Sequence, residues 1–319
     1  MQPTDRIARR LKPRDLHVLM VVGEEGSMAK AADRLAVSRP VVSKVVASLE
    51  ATLGVRLLDR VADGVSPTAY GAALIRHGQA VFDALRQGVE EIAFLSDPGA
   101  GLLRIGCSEI AAAGIVAAAV DELSQRHPRA HLELEQGNPD NSLRLLRERR
   151  VDLVVSRIVE TGPDIAMEPL LNEQLMVVSA PDAPWARRRR AITLADLADA
   201  PWIQSRAEIA PGGPTHDAFA ALGMAVPPIR VISNSLNLRF GLIETGRFIT
   251  MIHDSALRLG APRARLRVLP VAVPPWRFPT VVATLKGRTL PPLASLFLEI
   301  LRGVVRRLET HPGRPASGR

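Results

Sequence analysis

The chain has 319 residues, 47% of them apolar and 3% aromatic, which suits about two or three compact domains and excludes wholesale disorder. With so few aromatics, Leu, Val, Ile and Ala must fill the cores. A formal charge of +8 favours an anionic partner, nucleic acid first, but residues 1–60 carry 11 Lys/Arg against 7 Asp/Glu and 61–99 carry 2 against 5, so bulk charge marks no single domain.

Met1–Arg14 is charged and lacks the apolar core of a signal peptide. No uncharged apolar run approaches the ~18 residues that cross a bilayer, so a cytoplasmic chain without membrane contact is expected. Leu16, Leu19 and Met20, then Val22 and Gly23, give the apolar spacing of a first helix. Ser27 suits the N-cap of a second helix over Met28–Ala36, where Ala31, Ala32 and Leu35 form a narrow apolar stripe open to close approach. Val37 falls in a turn, Ser38 caps a third helix over Ser38–Ala51, and Pro40 sits in its first turn, where a missing N–H costs nothing. Residues 69–96 read as one long helix, ended by the turn-forming run Ser96–Gly101. Its Leu74, Val81, Leu85, Ile92 and Leu95 recur at coiled-coil spacing, with Gly78 and Gly88 in the remaining seam positions. A dimerising helix and a helix packed on its own domain both fit that pattern.

From Leu102 strands and helices alternate, the texture of an α/β fold. Strands are predicted at Leu102–Gly106, His131–Glu135, Val151–Val155, Leu175–Ser179, Pro201–Gln204, Ile229–Ile232, Phe248–Met251, Leu266–Leu269 and Thr280–Leu285. Helices are predicted at Ile110–Arg126, Ser142–Arg149, Leu194–Ala198, Thr215–Leu222, Leu236–Glu244 and Pro292–Leu308, with a disordered tail over 309–319.

The third helix can be read face by face at about 100° per residue. Val42, Val45, Val46 and Leu49 share a side that must be buried. Pro40, Ser43, Lys44 and Ala47 share the opposite side, with Arg39 at its edge. Small residues with a few donors let a helix lie flush in a major groove, where Arg39 can fork onto guanine and Ser43 and Lys44 can reach bases or phosphates. An ordinary amphipathic helix with a solvated face is the plain alternative; the paired caps and the short turn favour a helix-turn-helix.

The run Gly26-Ser27-Met28-Ala29-Lys30-Ala31-Ala32-Asp33-Arg34-Leu35, then Val37-Ser38-Arg39-Pro40-Val41-Val42-Ser43-Lys44, resembles the LysR-type transcriptional regulators. The likeness continues through Leu49-Glu50, Leu53–Arg60 and Thr68–Gly71. It implies a winged helix-turn-helix over 1–68 with Val55–Pro67 as the wing, a linker helix over 69–96, and a two-lobed α/β effector domain over 102–308 similar to periplasmic binding proteins. The lobes would be 102–164 with 265–308, and 165–264. Ser38, Arg39, Pro40, Ser43 and Lys44 would face DNA, while Ser27, Lys30, Arg60 and Thr68 would hold phosphates. Arg39 stands where the family often has Gln, Lys44 where it often has Arg, Pro67 where an apolar residue is usual, and Asp63 adds an acid to the wing.

In the second half the resemblance implies effector contacts at Ser108, Gly137, Asn138, Gln204, Asn234 and Ser235, with Ser156 and Arg157 further candidates. Arg157 and Arg206 could each fork onto a carboxylate. The implied partners are double-stranded DNA with an inverted-repeat operator, a small and anionic effector acting as co-inducer, and further copies of the chain in a homodimer or homotetramer. A contact to RNA polymerase is a further partner in view, and no bound cofactor is expected. A binding or transport protein of the same two-lobed build, or an enzyme using the cleft, is the alternative. No catalytic triad, phosphate loop or metal-ligand spacing supports an enzyme. Cys107 reads as a small core filler before a redox sensor, having no second cysteine to resolve it. The runs Arg147–Arg150 and Arg187–Arg190 read as solvated charge.

Overall fold

The computed structural model describes residues 7–97, 99–158, 161–187, 192–259, 266–271, 273 and 278–310. The predicted tail beyond 310 and Arg188–Arg190 lie outside the described residues. The chain divides into two units, one through Ile92 and one from Ala93 onward.

In the first unit, α1 (Pro13–Glu25) ends at Gly26, whose left-handed conformation turns the chain into α2 (Met28–Arg34). Ala36 also adopts a positive φ, 53°, which closes the second helix at Arg34, short of the predicted Ala36. α3 (Arg39–Leu53) follows, then the hairpin of β1 (Leu58–Val61) and β2 (Gly64–Pro67), then α4 (Ala69–Ser96). Leu58 pairs with Pro67 and Val61 with Gly64, which leaves Ala62-Asp63 as the tip of the wing. Leu19, Val22, Ala31, Val42 and Leu57 are wholly buried together; each large apolar side chain removed from water contributes about 1.5–3 kcal/mol. Gly71 lets α4 pass the wing root, since a Cβ there would stand 2.0 Å from the Leu57 carbonyl oxygen.

In the second unit, lobe I is built on β3 (Gly101–Cys107), β4 (Ala130–Gln136), β5 (Leu153–Ser156), β6 (Ile165–Glu173) and β12 (Phe278–Leu285), in the order β4-β3-β5-β12-β6. The first three run parallel, and β12 is antiparallel to β5 and β6. Helices α5 (Glu109–Ala111), α6 (Ala117–Arg126), α7 (Pro139–Arg147) and α12 (Pro292–Thr310) cover it. The predicted helix over Ile110–Arg126 is interrupted by a π turn at Ala112–Val116, where Gly114 leaves helical geometry. A Cβ on Gly114 would meet the Ala256 backbone at 3.3 Å.

Lobe II holds β7 (Leu175–Ser179), β8 (Trp202–Gln204), β9 (Ile229–Ile232), β10 (Thr250–His253) and β11 (Arg267–Val268). β7 lies between β10 and β11, and the Trp202–Ile249 bridge joins the parallel pair β8-β9 to them. Its helices are α8 (Arg206–Ile209), α9 (Pro214–Ala220), α10 (Leu236–Glu244) and α11 (Asp254–Leu259). Trp202 packs edge-on against Phe219 and donates its indole N–H to the Leu197 carbonyl, 2.8 Å away.

The lobe boundaries differ from those expected. Ile165–Glu173, expected to open the second lobe, forms β6 and pairs with β12 in lobe I from Ile165–Leu285 to Phe278–Glu173. Its alternating burial, with Glu168, Pro169 and Asn172 among its residues, concealed a strand. Conversely, Arg267–Val268 pairs with Ser179 and Val178 and so belongs to lobe II. No described helix is long and apolar enough to cross a membrane.

Candidate functional site

The exposed side of α3 presents Arg39, Pro40, Ser43, Lys44 and Ala47, while Val42, Val46 and Leu49 are buried and Val45 is half-buried. Ser38 takes the N-cap position without a side-chain capping bond. Val41, which the face analysis left aside, is also exposed, at 40%, and offers an apolar surface of the kind that meets a thymine methyl. Ser27 caps α2 by accepting the Lys30 N–H at 3.4 Å, and the Lys30 and Arg60 side chains are exposed.

Thr68 stands apart from this set. Its hydroxyl donates to the Arg56 carbonyl at 2.8 Å and accepts the Gly71 N–H at 3.1 Å, so it clamps the wing to the first turn of α4, and its only hydroxyl hydrogen is committed there. Glu50 plays a parallel part at the wing's other end, accepting the Leu57 N–H at 2.7 Å and the Leu58 N–H at 3.4 Å. Arg34 is paired with Glu24 and Glu25.

Along α4 both readings of the apolar row apply, in different stretches. Leu74 and Ile75 pack on the core of their own unit, and Gly78 is buried where a Cβ would meet Met20 Sδ at 3.1 Å. Gly78 therefore serves approach to α1 and is no seam position. Val81, Leu85, Val89, Ile92 and Leu95 are exposed, Leu95 at 73%. Val89, beside the predicted seam, widens that stripe.

The predicted effector contacts fall into two groups. Ser108, Gly137, Asn138 and Ser235 are engaged locally: Ser108 accepts the Ala111 N–H at 3.3 Å, Asn138 the Asn141 N–H at 2.8 Å, and Ser235 the Leu238 N–H at 3.3 Å, while Gly137 donates to the Cys107 carbonyl at 3.0 Å. Asn234 is exposed. Ser156 and Gln204 are instead wholly buried. Gln204 Oε1 accepts from Arg239 Nη2 at 2.8 Å, which brings in a residue that nothing in its own stretch of sequence singles out.

Arg239 is 1% exposed and donates further to Glu208 at 3.0 Å, to Thr250 Oγ1 at 2.7 Å and to the Met251 carbonyl at 3.2 Å. Glu208 in turn closes a capping box with Ser205. Ser156 Oγ, Gln204 Nε2 and Arg239 Nε are buried with no hydrogen-bond partner among the described residues. Arg206, one of the two arginines considered for a carboxylate, is exposed.

Several bonds cross between the lobes among the described residues, Arg258 Nη2 of α11 to the Leu308 carbonyl of α12 at 2.9 Å among them. Arg157 Nη2 of lobe I donates to the Gly212 carbonyl of lobe II; burial lowers the pKa of its guanidinium, and the charge of Asp217 opposes that. Glu109 Oε1 of lobe I accepts the Leu236 N–H at the start of α10, at 2.7 Å. His253, buried on β10, is pushed down to about 4 by desolvation against the pull of Glu208, so it is neutral at pH 7. Where β6 passes into lobe II, Glu173 accepts from Ser255 Oγ at 2.8 Å and Thr280 Oγ1 at 3.3 Å. Burial pushes its carboxyl up to about 7, with the Ser255 bond opposing and the charge of Asp254 adding to the shift.

Cys107 is buried in the lobe I core, and desolvation raises its thiol to about 11. It holds little thiolate at neutral pH, as a core filler would. Among the described residues no group of three His, Cys, Asp or Glu could hold a metal ion.

An exposed helix with a groove-sized polar face and a separate two-lobed α/β unit with buried, unsatisfied donors define a ligand-responsive DNA-binding regulator. Two family models match: "Bacterial regulatory helix-turn-helix protein, lysR family" over residues 13–72 and "LysR substrate binding domain" over 96–306. The chain belongs to the LysR family of DNA-binding transcriptional regulators. It is 27% identical over 297 residues to the HTH-type transcriptional regulator GbpR of Azospirillum brasilense, covering 92% of this chain and 86% of that one. Among solved structures, ArgP from Mycobacterium tuberculosis matches with a TM-score of 0.69 at 20% identity, covering 92% of this chain and 97% of that one. Full-length CbnR complexed with its target DNA matches with a TM-score of 0.54 at 21% identity, covering 92% and 100%. At these identities the structures speak for the fold.

Proposed function

We propose that the chain binds an inverted-repeat operator as a homodimer or a homotetramer, and that a small organic anion held between the lobes acts as its co-inducer. The exposed face of α3 supports the first part, and the likeness to a regulator solved with its target DNA is in keeping with it. The exposed row from Val81 to Leu95 supports self-association through α4, because a stripe of large apolar side chains stays in water only at a cost. DNA as partner is in keeping with a chain that works in the cytoplasm, with RNA polymerase proposed as a further contact.

The observation that carries the effector reading is the trio Ser156 Oγ, Gln204 Nε2 and Arg239 Nε, buried without partners. Burying a donor unsatisfied costs about 1–3 kcal/mol, and a carboxylate offers the kind of acceptor that each of them lacks. We read the second unit as binding without turnover: His253 is buried and neutral, and Cys107 lies in the lobe I core with its thiol protonated. Calorimetry against a panel of organic acids tests this. A binding acid should lose about five- to tenfold in affinity on Ser156→Ala, one hydrogen bond's worth. An acid converted to product would favour an enzyme, and no binding by any acid would remove the anionic effector.

A further inference from the structure

We propose that Glu109 is the resident anion of the α10 N-terminus: it closes that pole of the cleft to an effector's carboxylate and ties lobe I to lobe II in its place. This rests on the reading of the cleft as an effector site. A helix start carries unsatisfied N–H groups and a partial positive charge, which makes it a ready place for an anion. Here two N–H groups in the first turn of α10 are already served by the chain itself. Leu236 N–H goes to Glu109 Oε1 at 2.7 Å, from 127 residues away, and Leu238 N–H goes to Ser235 Oγ at 3.3 Å.

Glu109 is held for this role. It follows the N-cap Ser108, in a first turn where an acidic side chain is favoured. Its carboxylate therefore lies at the start of its own helical run and at the start of α10 in the other lobe. The Arg157 bond to the Gly212 carbonyl is a second tie across the lobes, again made by the chain's own groups. Asn234 and Ser235 thus cap and flank a filled position, which leaves the effector's carboxylate to Ser156, Gln204 and Arg239. Glu109 acts as a specificity residue: a ligand with a second carboxylate directed at α10 meets a charge already in place.

The test uses the full chain and acetate, the size of the missing group. In Glu109→Ala, acetate should raise the melting temperature saturably and bind at least about tenfold more tightly than to the unmodified chain, the scale of a hydrogen bond to a charged group. Acetamide, at matched ionic strength, should do neither. In Glu109→Gln, which keeps the side-chain shape and loses the charge, deuterium uptake by the Leu236 amide should quicken by about tenfold. Acetate acting alike on both chains, acetamide working as well as acetate, or unchanged Leu236 exchange in Glu109→Gln would overturn the proposal. Failure of every organic acid to bind the unmodified chain would remove the effector reading and leave the acetate result standing.

Discussion

Arg39 stands exposed in the first turn of α3, where a guanidinium fork can reach guanine O6 and N7. A bidentate base contact discriminates by about 1–3 kcal/mol, whereas a phosphate contact weakens all sequences alike when lost. Arg39→Ala should therefore lower operator affinity about tenfold or more in fluorescence anisotropy and leave random DNA nearly unchanged. Equal loss on both would make Arg39 a phosphate contact. Two buried groups in the second unit have opposed pH signatures. His253 has a folded pKa near 4, below its ordinary 6.5, so its contribution to stability is present above pH 6.5 and is lost as pH falls toward 4. Glu173 is raised to about 7 from 4.5, so its contribution is present below pH 4.5 and is lost as pH rises toward 7. The two nearly offset each other between about pH 4.5 and 6.5. Removing one exposes the other: urea unfolding of His253→Gln should show stability rising as pH is lowered from 7 to 5, against a flatter profile for the unmodified chain. Identical slopes in the two chains would contradict these assignments.

At the scale of elements, α4 divides its labour along its length. Gly71 and Gly78 fit it against the wing root and α1, and from Val81 onward its apolar side chains are exposed. Leu85→Glu combined with Ile92→Glu should leave the first unit folded by circular dichroism and lower the oligomeric state in sedimentation at micromolar concentration. A mixed assembly unaffected by both charges would move the interface elsewhere. Elements whose cause is local were readable from the residues: the Ser27 cap, the N-cap position of Ser38 (though not a capping bond from it), the buried Val42, Val46 and Leu49, and the full span of α4 follow from helical periodicity and capping chemistry. β6 was not readable, because it is made by pairing with β12 more than a hundred residues later and carries its polar residues in alternation. Arg239 was hidden for the same reason. Its partners Gln204 and Glu208 lie 35 and 31 residues away, and nothing in the run Leu236–Glu244 distinguishes it from a solvated arginine. Thr68 matched a motif, while its hydroxyl partner, the Arg56 carbonyl, depends on the folded wing.

At the scale of the molecule, a DNA-reading unit and a ligand-binding unit share one chain, and the family membership assigns these two halves their broad work. The net charge of +8 adds a sequence-independent attraction to DNA, but it cannot select an operator; that work is proposed for the exposed residues Arg39, Pro40, Ser43 and Lys44. The two-fold pairing through α4 proposed above would dictate the form of the site, since each recognition helix would meet the same half-site in opposite orientation. Half-sites should be separated by about 34–36 Å, one helical turn, or by multiples of it. The most direct test is selection of bound sequences by the full-length chain from a pool of random duplexes. The account requires an enriched inverted repeat at that spacing, lost when Arg39→Ala is used in the same selection. Recovery of no common sequence, or of the same sequence regardless of Arg39, would contradict it.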